Sequence, residues 1–302
     1  MIKARSSFEN EEQKRNYVSE CEGAFEHRLD VAVDAIKANK NHRIITLSGP
    51  TCAGKTTTAK KIVSEFAQIG YRVRPISIDD FFLDRDFLLE QAKGRNGEID
   101  FDSAKAIDLP LLAETVEQIL EGGVVKLPRF DFKSGKRLQG CEFLCDEKDI
   151  YMFEGIQAVY PEFTSLLRGQ HYVGVFISVF DELELNGRVY RSEDIRLLRR
   201  IVRDSRRRNA SAEFTLDLWR SVRQNELDSI FPNVKEDFVF INSLMPYELG
   251  MLKPYLFEIL SSVSPKSAHY DFAQKTMAYF EDVDVISSEY IPENSLYHEF
   301  LG

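Results

Sequence analysis

The sequence has few cysteines, and those it has are scattered. Four cysteines in 302 residues cannot supply the disulfide framework of a small secreted domain. Cys141 and Cys145 lie close together, but no second Cys or His pair follows them at ligand spacing, and the histidines form no such pair either. We therefore expect reduced thiols and no structural metal.

Long apolar runs and an excess of positive charge are also missing. No stretch approaches the roughly 20 apolar residues of a membrane span. The first residues, "MIKARSSFENEEQKRNY", lack the apolar core of a secretory signal, so the sequence predicts a cytoplasmic protein without a membrane partner. The formal net charge of −10 argues against bulk binding to nucleic acid, and we do not expect a nucleic-acid partner.

Short β-branched runs alternate with segments of helical periodicity. The runs "RIITLSG", "YRVRPISIDD", "HYVGVFISVF" and "DFVFINS" are typical of buried strands, and "LPLLAETVEQILEGG" is typical of a helix closed by glycine. This alternation predicts an α/β fold with a parallel sheet covered by helices on both faces. The segments "VVKLPRFDF" and "EFLCDEKDIYMFEG" flank the predicted turn "KSGKRLQG", which indicates a β-hairpin excursion before a core strand at 150–153.

The stretch "SGPTCAGKT" follows the first of these strands. Gly49 and Gly54-Lys55-Thr56 fill the pattern G-x-x-x-x-G-K-[ST]. Glycine lets the backbone curl so that its N–H groups point at phosphate oxygens, and the following helix adds its positive end. Lys55 can reach the β- and γ-phosphates, while the Thr56 hydroxyl can bind Mg²⁺. The preceding strand and the following helix argue against a chance match.

We therefore expect this loop to bind the polyphosphate of ATP or GTP. The expected nucleotide-binding residues are Gly49, Pro50, Thr51, Cys52, Ala53, Gly54, Lys55, Thr56 and Thr57.

Carboxylates follow two of the predicted strands. Asp79 and Asp80 end "PISIDD", and Glu154 ends "DIYMFE". A carboxylate at a strand's carboxyl end can take a proton from an incoming hydroxyl or help to hold Mg²⁺. Neighbouring strand residues face opposite ways, so we expect only one aspartate in the site, with helix capping as the alternative for Asp80. No guanine-reading N-K-x-D motif follows a later strand, which argues against a switch GTPase.

An arginine-rich run lies at 196–208. On a helix, four of these arginines share one face: Arg196, Arg200, Arg203 and Arg207. Arginine forks suit phosphate, and phosphoryl transfer needs charge neutralised with water excluded, so the run favours an arginine-bearing lid. Two alternatives stay open, an RNA-binding face and a solvated helix paired with acids such as Asp194 and Asp204.

Together these segments resemble the uridine kinase and phosphoribulokinase family of P-loop kinases. The shared motifs are "GPTCAGKTT", "ISIDDFF", "DFDSAKAID", "LPRFDFKSGKR", "FEGIQA" and "RLLRRIVRDSRRR", in that order over roughly 42–210. The later segments, including the tail "YIPENSLYHEFLG", are similar to bacterial uridine-kinase-like proteins that often carry an N-terminal domain related to one in threonyl-tRNA synthetase. We expect that domain to be absent here or reduced to a short arm.

The sequence pattern and this resemblance together predict a division of the chain. The expected parts are an N-terminal helical arm at 1–41 and a P-loop kinase domain at 42–302, which includes a lid at about 182–215 and a C-terminal helical extension at about 244–302. The sequence leaves open whether the tail docks on its own domain or on a neighbouring subunit of a homo-oligomer.

The resemblance also implies roles on the phosphate side. Asp79 corresponds to the base for a sugar 5′-hydroxyl and to an indirect Mg²⁺ partner. Glu154 corresponds to the second carboxylate beside the metal and joins Thr56. Lys55 and Arg203 would act with Asp79 in catalysis, and Arg203 and Arg208 would reach the nucleotide phosphates from the lid.

On the acceptor side, the resemblance implies a pocket for a nucleoside. Asp102 corresponds to the residue that grips ribose hydroxyls, Arg200 would face the substrate, and Phe130 and Phe132 would line the base pocket beside Arg137. From the residues alone, hairpin core is the better explanation of the two phenylalanines.

Three departures from the family pattern concern this pocket. Phe130 stands where the family typically has Tyr, Gly135 stands where a base-reading His is typical, and Asn209-Ala210 follows Arg208 in place of Gly-Arg. Because a base edge is read by placed donors and acceptors, the sequence does not predict which base is preferred.

The predicted function is an ATP- and Mg²⁺-dependent kinase that acts on the 5′-hydroxyl of a pyrimidine nucleoside or a similar small acceptor. One alternative is a kinase of another hydroxylated metabolite, such as a sugar phosphate or a vitamin precursor. Another is a nucleotide-dependent RNA-binding regulatory protein. A silent scaffold is disfavoured because Lys55, Thr56, Asp79 and Glu154 are all present.

Overall fold

The computed structural model describes residues 1–39, 42–91, 101–146, 148–167 and 169–301. The strands in these ranges are β1 (Ile2–Lys3), β2 (Ile44–Ser48), β3 (Arg72–Ser77), β4 (Val124–Asp131), β5 (Lys136–Leu144), β6 (Asp149–Glu154), β7 (Tyr172–Ser178), β8 (Leu183–Leu185), β9 (Arg188–Tyr190) and β10 (Val239–Asn242). The helices are α1 (Glu11–Ala38), α2 (Lys55–Gln68), α3 (Arg85–Gln91), α4 (Leu109–Glu121), α5 (Pro161–Thr164), α6 (Ser192–Arg208), α7 (Ala212–Asn225), α8 (Glu248–Ser261), α9 (Tyr270–Phe280) and α10 (His298–Leu301).

A parallel sheet forms the centre of the molecule. Within the described part of the chain it has five strands in the order β10-β7-β2-β6-β3. Strand β2 pairs with β6 on one side and β7 on the other, and its side chains are completely buried because they enter the core clusters on both faces of the sheet. This arrangement confirms the predicted α/β fold with a parallel sheet, and it collects the carboxyl ends of all five strands at one edge.

Helices cover both faces of this sheet. Along β6, Met152 belongs to one core cluster while Tyr151 and Phe153 belong to the other, as the period of two in a strand requires. The first cluster contains buried residues of α1, α2, α6 and α8, and the second contains those of α4.

The hairpin is present, but its second strand begins earlier than predicted. Strands β4 and β5 pair antiparallel from Val124↔Leu144 to Asp131↔Lys136, so the turn comprises only residues 132–135. The Asp131 carboxylate accepts the N–H groups of Lys133 and Ser134, and Gly135 takes a φ of +67°. Because the turn is this short, residues 136–140 ("KRLQG") belong to β5.

The N-terminal segment contains a long helix that packs on the sheet. The Asn10 side chain caps α1 by accepting the N–H of Gln13, and the helix buries Phe25, Leu29 and Ile36. Arg28 on this helix donates to the carbonyl of Asn242, at the end of β10 (3.0 Å). None of the helices in the described ranges combines the length and the apolar character needed to cross a membrane.

Candidate active site

The phosphate loop connects β2 to α2 at the carboxyl edge of the sheet. Two residues in it have a left-handed backbone, Cys52 with a φ of +57° and Gly54 with a φ of +97°. Left-handed residues of this kind curl a loop so that successive N–H groups can face an anion, and α2 begins directly after them. The Thr56 side chain is exposed at the start of α2, where its hydroxyl is accessible to a ligand.

Gly49 is required by a close approach between the loop and β7. A Cβ atom at this position would lie 2.1 Å from the backbone oxygen of Ile177, a distance that real contacts do not reach. Because that oxygen belongs to a central strand, it cannot move aside as a flexible side chain would.

Gly49→Ala should therefore destabilise the protein by about 1–3 kcal/mol and weaken nucleotide binding, as overpacking does elsewhere. Urea denaturation and nucleotide titration measure the two effects. Gly23→Ala is the matched control, because a Cβ there meets nothing within 4 Å and the exposed interior of α1 should gain about 0.5–1 kcal/mol. Unchanged stability of Gly49→Ala would contradict the close approach.

Lys55 lies back across the phosphate loop. Its Nζ donates to the carbonyl oxygens of Gly49 (2.9 Å) and Pro50 (3.2 Å). This position holds the ammonium group over the space that the curled backbone surrounds. A phosphate group in the loop would meet this charge directly.

Two carboxylates lie at the same edge of the sheet as this lysine. Glu154 is the last residue of β6, and its Oε1 accepts the Ser77 hydroxyl at the end of β3 (3.2 Å). Asp79 follows in the 3₁₀ turn after β3 and is partly buried. Burial and the negative charge of Glu154 raise the pKa of Asp79 to about 7, although Lys55 acts to lower it. A carboxylate with this pKa can exchange a proton near neutral pH.

Asp80 has a different task from its neighbour. Its Oδ1 accepts the N–H of Phe130, at a distance of 3.0 Å, and so ties the turn after β3 to the hairpin. The alternative that Asp80 caps a following helix is therefore wrong, because the N–H group that Asp80 accepts belongs to strand β4.

Asp102 is brought to the same edge of the sheet. The hydroxyl of Tyr160 donates to its backbone carbonyl (3.0 Å), which fixes this segment beside the turn that follows β6. The negative charge of Asp102 is among the charges that raise the pKa of Asp79, and the positive charge of Arg208 acts on Asp79 in the opposite direction. Both residues thus lie within electrostatic reach of the candidate base.

The hairpin adds an aromatic cluster. The rings of Phe130 and Phe132 meet edge to face at 5.1 Å, and Phe82 contacts them at 5.5 and 6.0 Å. Phe130 is buried, whereas Phe132 is 55% exposed and presents a ring to solvent. Phe101 extends the cluster, at 5.4 Å from Phe82.

Arg137 lies next to this cluster but already has a partner, because its Nη1 donates to Asp108 Oδ2 (2.5 Å). At the turn of the hairpin, a Cβ on Gly135 would lie 2.7 Å from Nε of Arg85. The guanidinium of Arg85, which also donates to the Phe132 carbonyl (3.0 Å), thus occupies the space beside Gly135.

Helix α6 packs directly on the phosphate loop. Arg199 Nη1 donates to the Cys52 carbonyl (3.1 Å), and Arg203 Nη1 donates to the Thr51 hydroxyl (3.3 Å). Arg196 approaches the Thr51 carbonyl at 3.5 Å. The arginines of this helix therefore support the outer side of the loop.

The partners of these arginines are buried acids. Arg196 pairs with Glu226 (2.5 Å) and Arg199 pairs with Glu248 (2.6 Å), and all four side chains are at most 1% exposed. Both arginines are thus part of the core and do not lie on a solvated face.

The remaining arginines of α6 converge on Asp204. Arg200 and Arg203 bind its two carboxylate oxygens, and Arg208 approaches it at 3.6 Å with a side chain that is 58% exposed. Arg200 is engaged in this pair within α6 and is largely buried.

The residues present suit a nucleotide-bound magnesium ion. No group of three or more His, Cys, Asp or Glu in the described ranges could hold a metal alone. Mg²⁺ is usually held by one or two carboxylates together with phosphate oxygens and water. Thr56, Glu154 and Asp79 supply a hydroxyl and two carboxylates of this type beside the phosphate loop.

Sequence reasoning did not assign Arg199, Glu226, Glu248 or Phe82. The partners of the arginines lie 30 and 49 residues away along the chain, so no local spacing indicates the pairs. The signal for Phe82 was present in "IDDFF", since a second phenylalanine after the carboxylates must pack near the same edge.

A curled phosphate loop, a lysine over it and carboxylates at the ends of neighbouring parallel strands define a P-loop kinase-type site. The sequence matches the Phosphoribulokinase / Uridine kinase family over residues 44–246, and the chain belongs to this family of phosphotransferases.

The individual proteins compared below share less than a third of their aligned residues with this chain. The chain is 28% identical to uridine-cytidine kinase B of Dictyostelium discoideum over 204 residues, which cover 67% of this chain and 75% of the relative. It is also 28% identical to a uridine kinase of Ureaplasma urealyticum over 182 residues, 60% of this chain and 78% of the other. Among solved structures, a D-glycerate 3-kinase of Cryptococcus neoformans overlaps with a TM-score of 0.45 at 13% identity and covers 67% of this chain and 86% of that one.

Proposed function

We propose that the protein transfers the γ-phosphate of ATP, as its Mg²⁺ complex, to the 5′-hydroxyl of a pyrimidine nucleoside. The observation that carries this proposal is the position of Asp79. This carboxylate, with a pKa of about 7, follows β3 at the carboxyl edge of the sheet, within electrostatic reach of the phosphate-loop lysine and of Asp102. The named relatives that phosphorylate uridine or cytidine support the acceptor class.

The residues divide the work as follows. The loop backbone and Lys55 would hold the β- and γ-phosphates, and Thr56 and Glu154 would hold a magnesium ion, whose charge would neutralise that of the phosphates. Asp79 accepts the proton of the attacking hydroxyl, and Asp102 holds the sugar. Arg203 and Arg208 stabilise the charge of the transferred group, so catalysis rests on positioning and electrostatics.

The base would be held mainly by stacking. Phe132 offers an exposed ring face, and Phe82 and Phe130 support it. Apolar rings do not read a base edge, so we expect uridine and cytidine to differ by less than about tenfold in kcat/KM.

The test is a panel of nucleosides incubated with ATP and Mg²⁺, with ADP release and the phosphorylated product measured together. Expected products are 5′-monophosphates of uridine and cytidine. A protein that binds ATP yet forms no nucleoside product would overturn the acceptor assignment.

A phosphorylated acceptor is the second candidate. The exposed Arg85 guanidinium beside Gly135 favours it, because arginine suits an anionic substrate group. Sugar phosphates therefore belong in the same panel, and turnover of these compounds without nucleoside turnover would establish this alternative.

An RNA-binding role receives less support. Arg196, Arg199 and Arg200 are buried, with carboxylate partners, and are not available to an RNA backbone.

A further inference from the structure

The tail segment, defined here as residues 291–301, docks on its own chain. It lies outside the residues 44–246 that match the family. Leu296, Tyr297 and Phe300 within it are completely buried. Arg206 and Arg207 of α6 donate to the carbonyls of Leu301 and His298, so the tail segment is bound along the helix that supports the phosphate loop.

Helix α1 holds the tail segment from the other side. The Ser295 hydroxyl donates to Glu22 Oε1 (2.6 Å), and Asn294 Nδ2 donates to Glu26 (2.9 Å). Tyr247, at the start of α8, also donates to Glu22, which is buried. Two regions that the family match does not include therefore fix each other next to the candidate active site.

Glu299 is the charged residue that this docking brings to the site. Its Oε2 is buried, and within the described residues no hydrogen-bond partner reaches it. Burial raises the pKa of this carboxyl, Lys55 and Arg203 act to lower it, and Glu154 acts to raise it. The carboxylate is therefore within electrostatic reach of the phosphate-loop lysine and of the carboxylate at the end of β6.

A buried acceptor without a donor costs free energy, so a bound ligand that supplies a donor would be favoured. Phosphate groups cannot supply it, because they are acceptors and repel a carboxylate. Water molecules that hydrate Mg²⁺ are donors, and this ion keeps several of them when it binds protein carboxylates and phosphates.

We propose that Glu299 is a residue of the magnesium–nucleotide site, supplied by the tail segment, and accepts a hydrogen bond from the ion's hydration water. The inference rests on the proposed use of Mg²⁺ and a nucleotide but not on the acceptor. Its consequence is that Glu299 couples nucleotide binding to Mg²⁺: the negative charge opposes a bare nucleotide and favours one that carries the cation.

The test compares the binding of ADP by isothermal titration calorimetry in EDTA and in Mg²⁺. For the natural chain we expect Mg²⁺ to strengthen binding. Glu299→Gln should bind ADP more tightly in EDTA and more weakly in Mg²⁺. The ratio of the two dissociation constants should therefore fall about tenfold, as loss of one charge-assisted hydrogen bond would give.

Glu293→Gln is the matched control, because it makes the same chemical change at an exposed position of the tail segment and should leave the ratio unchanged. Glu299→Asp provides a second variant, which keeps the charge and should keep the weak binding in EDTA. An unchanged ratio in Glu299→Gln would overturn the proposal. Equally tighter binding in both conditions would also overturn it and would identify Glu299 as an autoinhibitory contact.

Failure of the proposed function would give a different result from failure of the proposal about Glu299. If the natural chain binds no ADP, or binds it without dependence on Mg²⁺, the nucleotide assignment itself fails before any variant is compared. If ADP binds with Mg²⁺ but no nucleoside is phosphorylated, only the acceptor assignment fails and the role of Glu299 stands.

Discussion

Asp79→Asn should lower the rate of phosphoryl transfer by roughly 10²–10⁴-fold, the range expected when a general base is removed. The amide keeps the size of the side chain but cannot accept the proton of the attacking hydroxyl. Nucleotide affinity should change far less, because the loop backbone and Lys55 hold the phosphates. Single-turnover rates and ADP titrations separate these two effects.

The same substitution should make the protein more stable above pH 7. Burial and the charge of Glu154 raise the pKa of Asp79 from 3.8 to about 7 in the folded protein. Between about pH 4 and pH 7 the folded state therefore keeps a proton that the unfolded chain has lost. Because deprotonation favours the unfolded chain, the free energy of unfolding falls as the pH rises over this range. Asparagine has no such loss, so we expect a gain on the order of 4 kcal/mol at pH 8 and almost none at pH 4.

Urea denaturation at both pH values measures this difference. Asp84→Asn is the control, since it lies only a few residues beyond the same turn and its amide oxygen can still accept the Arg137 N–H. An Asp79→Asn protein that turns over normally, or whose stability relative to the natural chain is the same at pH 4 and pH 8, would contradict the role assigned to this carboxylate.

Arg199→Met should destabilise the protein by about 3–5 kcal/mol, because removal of one partner leaves a charge uncompensated in the core. Both Arg199 and Glu248 are completely buried, and two guanidinium nitrogens bind the two carboxylate oxygens, at 2.6 and 3.0 Å. Arg199 also donates to the carbonyls of Ser243 (2.7 Å) and Cys52 (3.1 Å). The phosphate loop thus loses a support as well, and nucleotide binding should weaken.

Chemical denaturation and ADP titration test this prediction. The double variant Arg199→Met/Glu248→Leu should recover much of the stability, since hydrophobic residues often replace a buried pair at little cost. It should not recover the nucleotide affinity, because the Cys52 carbonyl still lacks its donor. Arg220→Met, on the exposed face of α7, should change stability by less than about 0.5 kcal/mol. A loss below about 1 kcal/mol for Arg199→Met would show that the buried pair is not important to folding.

The parts of the site that the sequence predicts are those encoded locally. The phosphate loop and the carboxylates at 79 and 154 each follow a recognisable strand, and the parallel sheet then brings the strand ends together. The buried pairs of α6 could not be predicted in this way, because arginine at a helical spacing has the same pattern whether its partner is water or a distant acid. A role for Glu299 could not be predicted either, because this residue comes within electrostatic reach of Lys55 only when the tail segment docks.

The length of chain between two contacting residues determines when, during folding, the site is complete. Arg199 reaches the loop across 147 residues, and the Leu296 side chain lies within 4 Å of a Cβ built on Gly54. Contacts between such distant residues form late in folding, because the intervening chain must first be synthesised and ordered. A ribosome-bound chain that has not yet produced residues near 296 therefore has its phosphate loop and the arginines of α6, but not the tail side chains that pack against the loop. Nucleotide binding should reach its full strength only after the tail segment has docked.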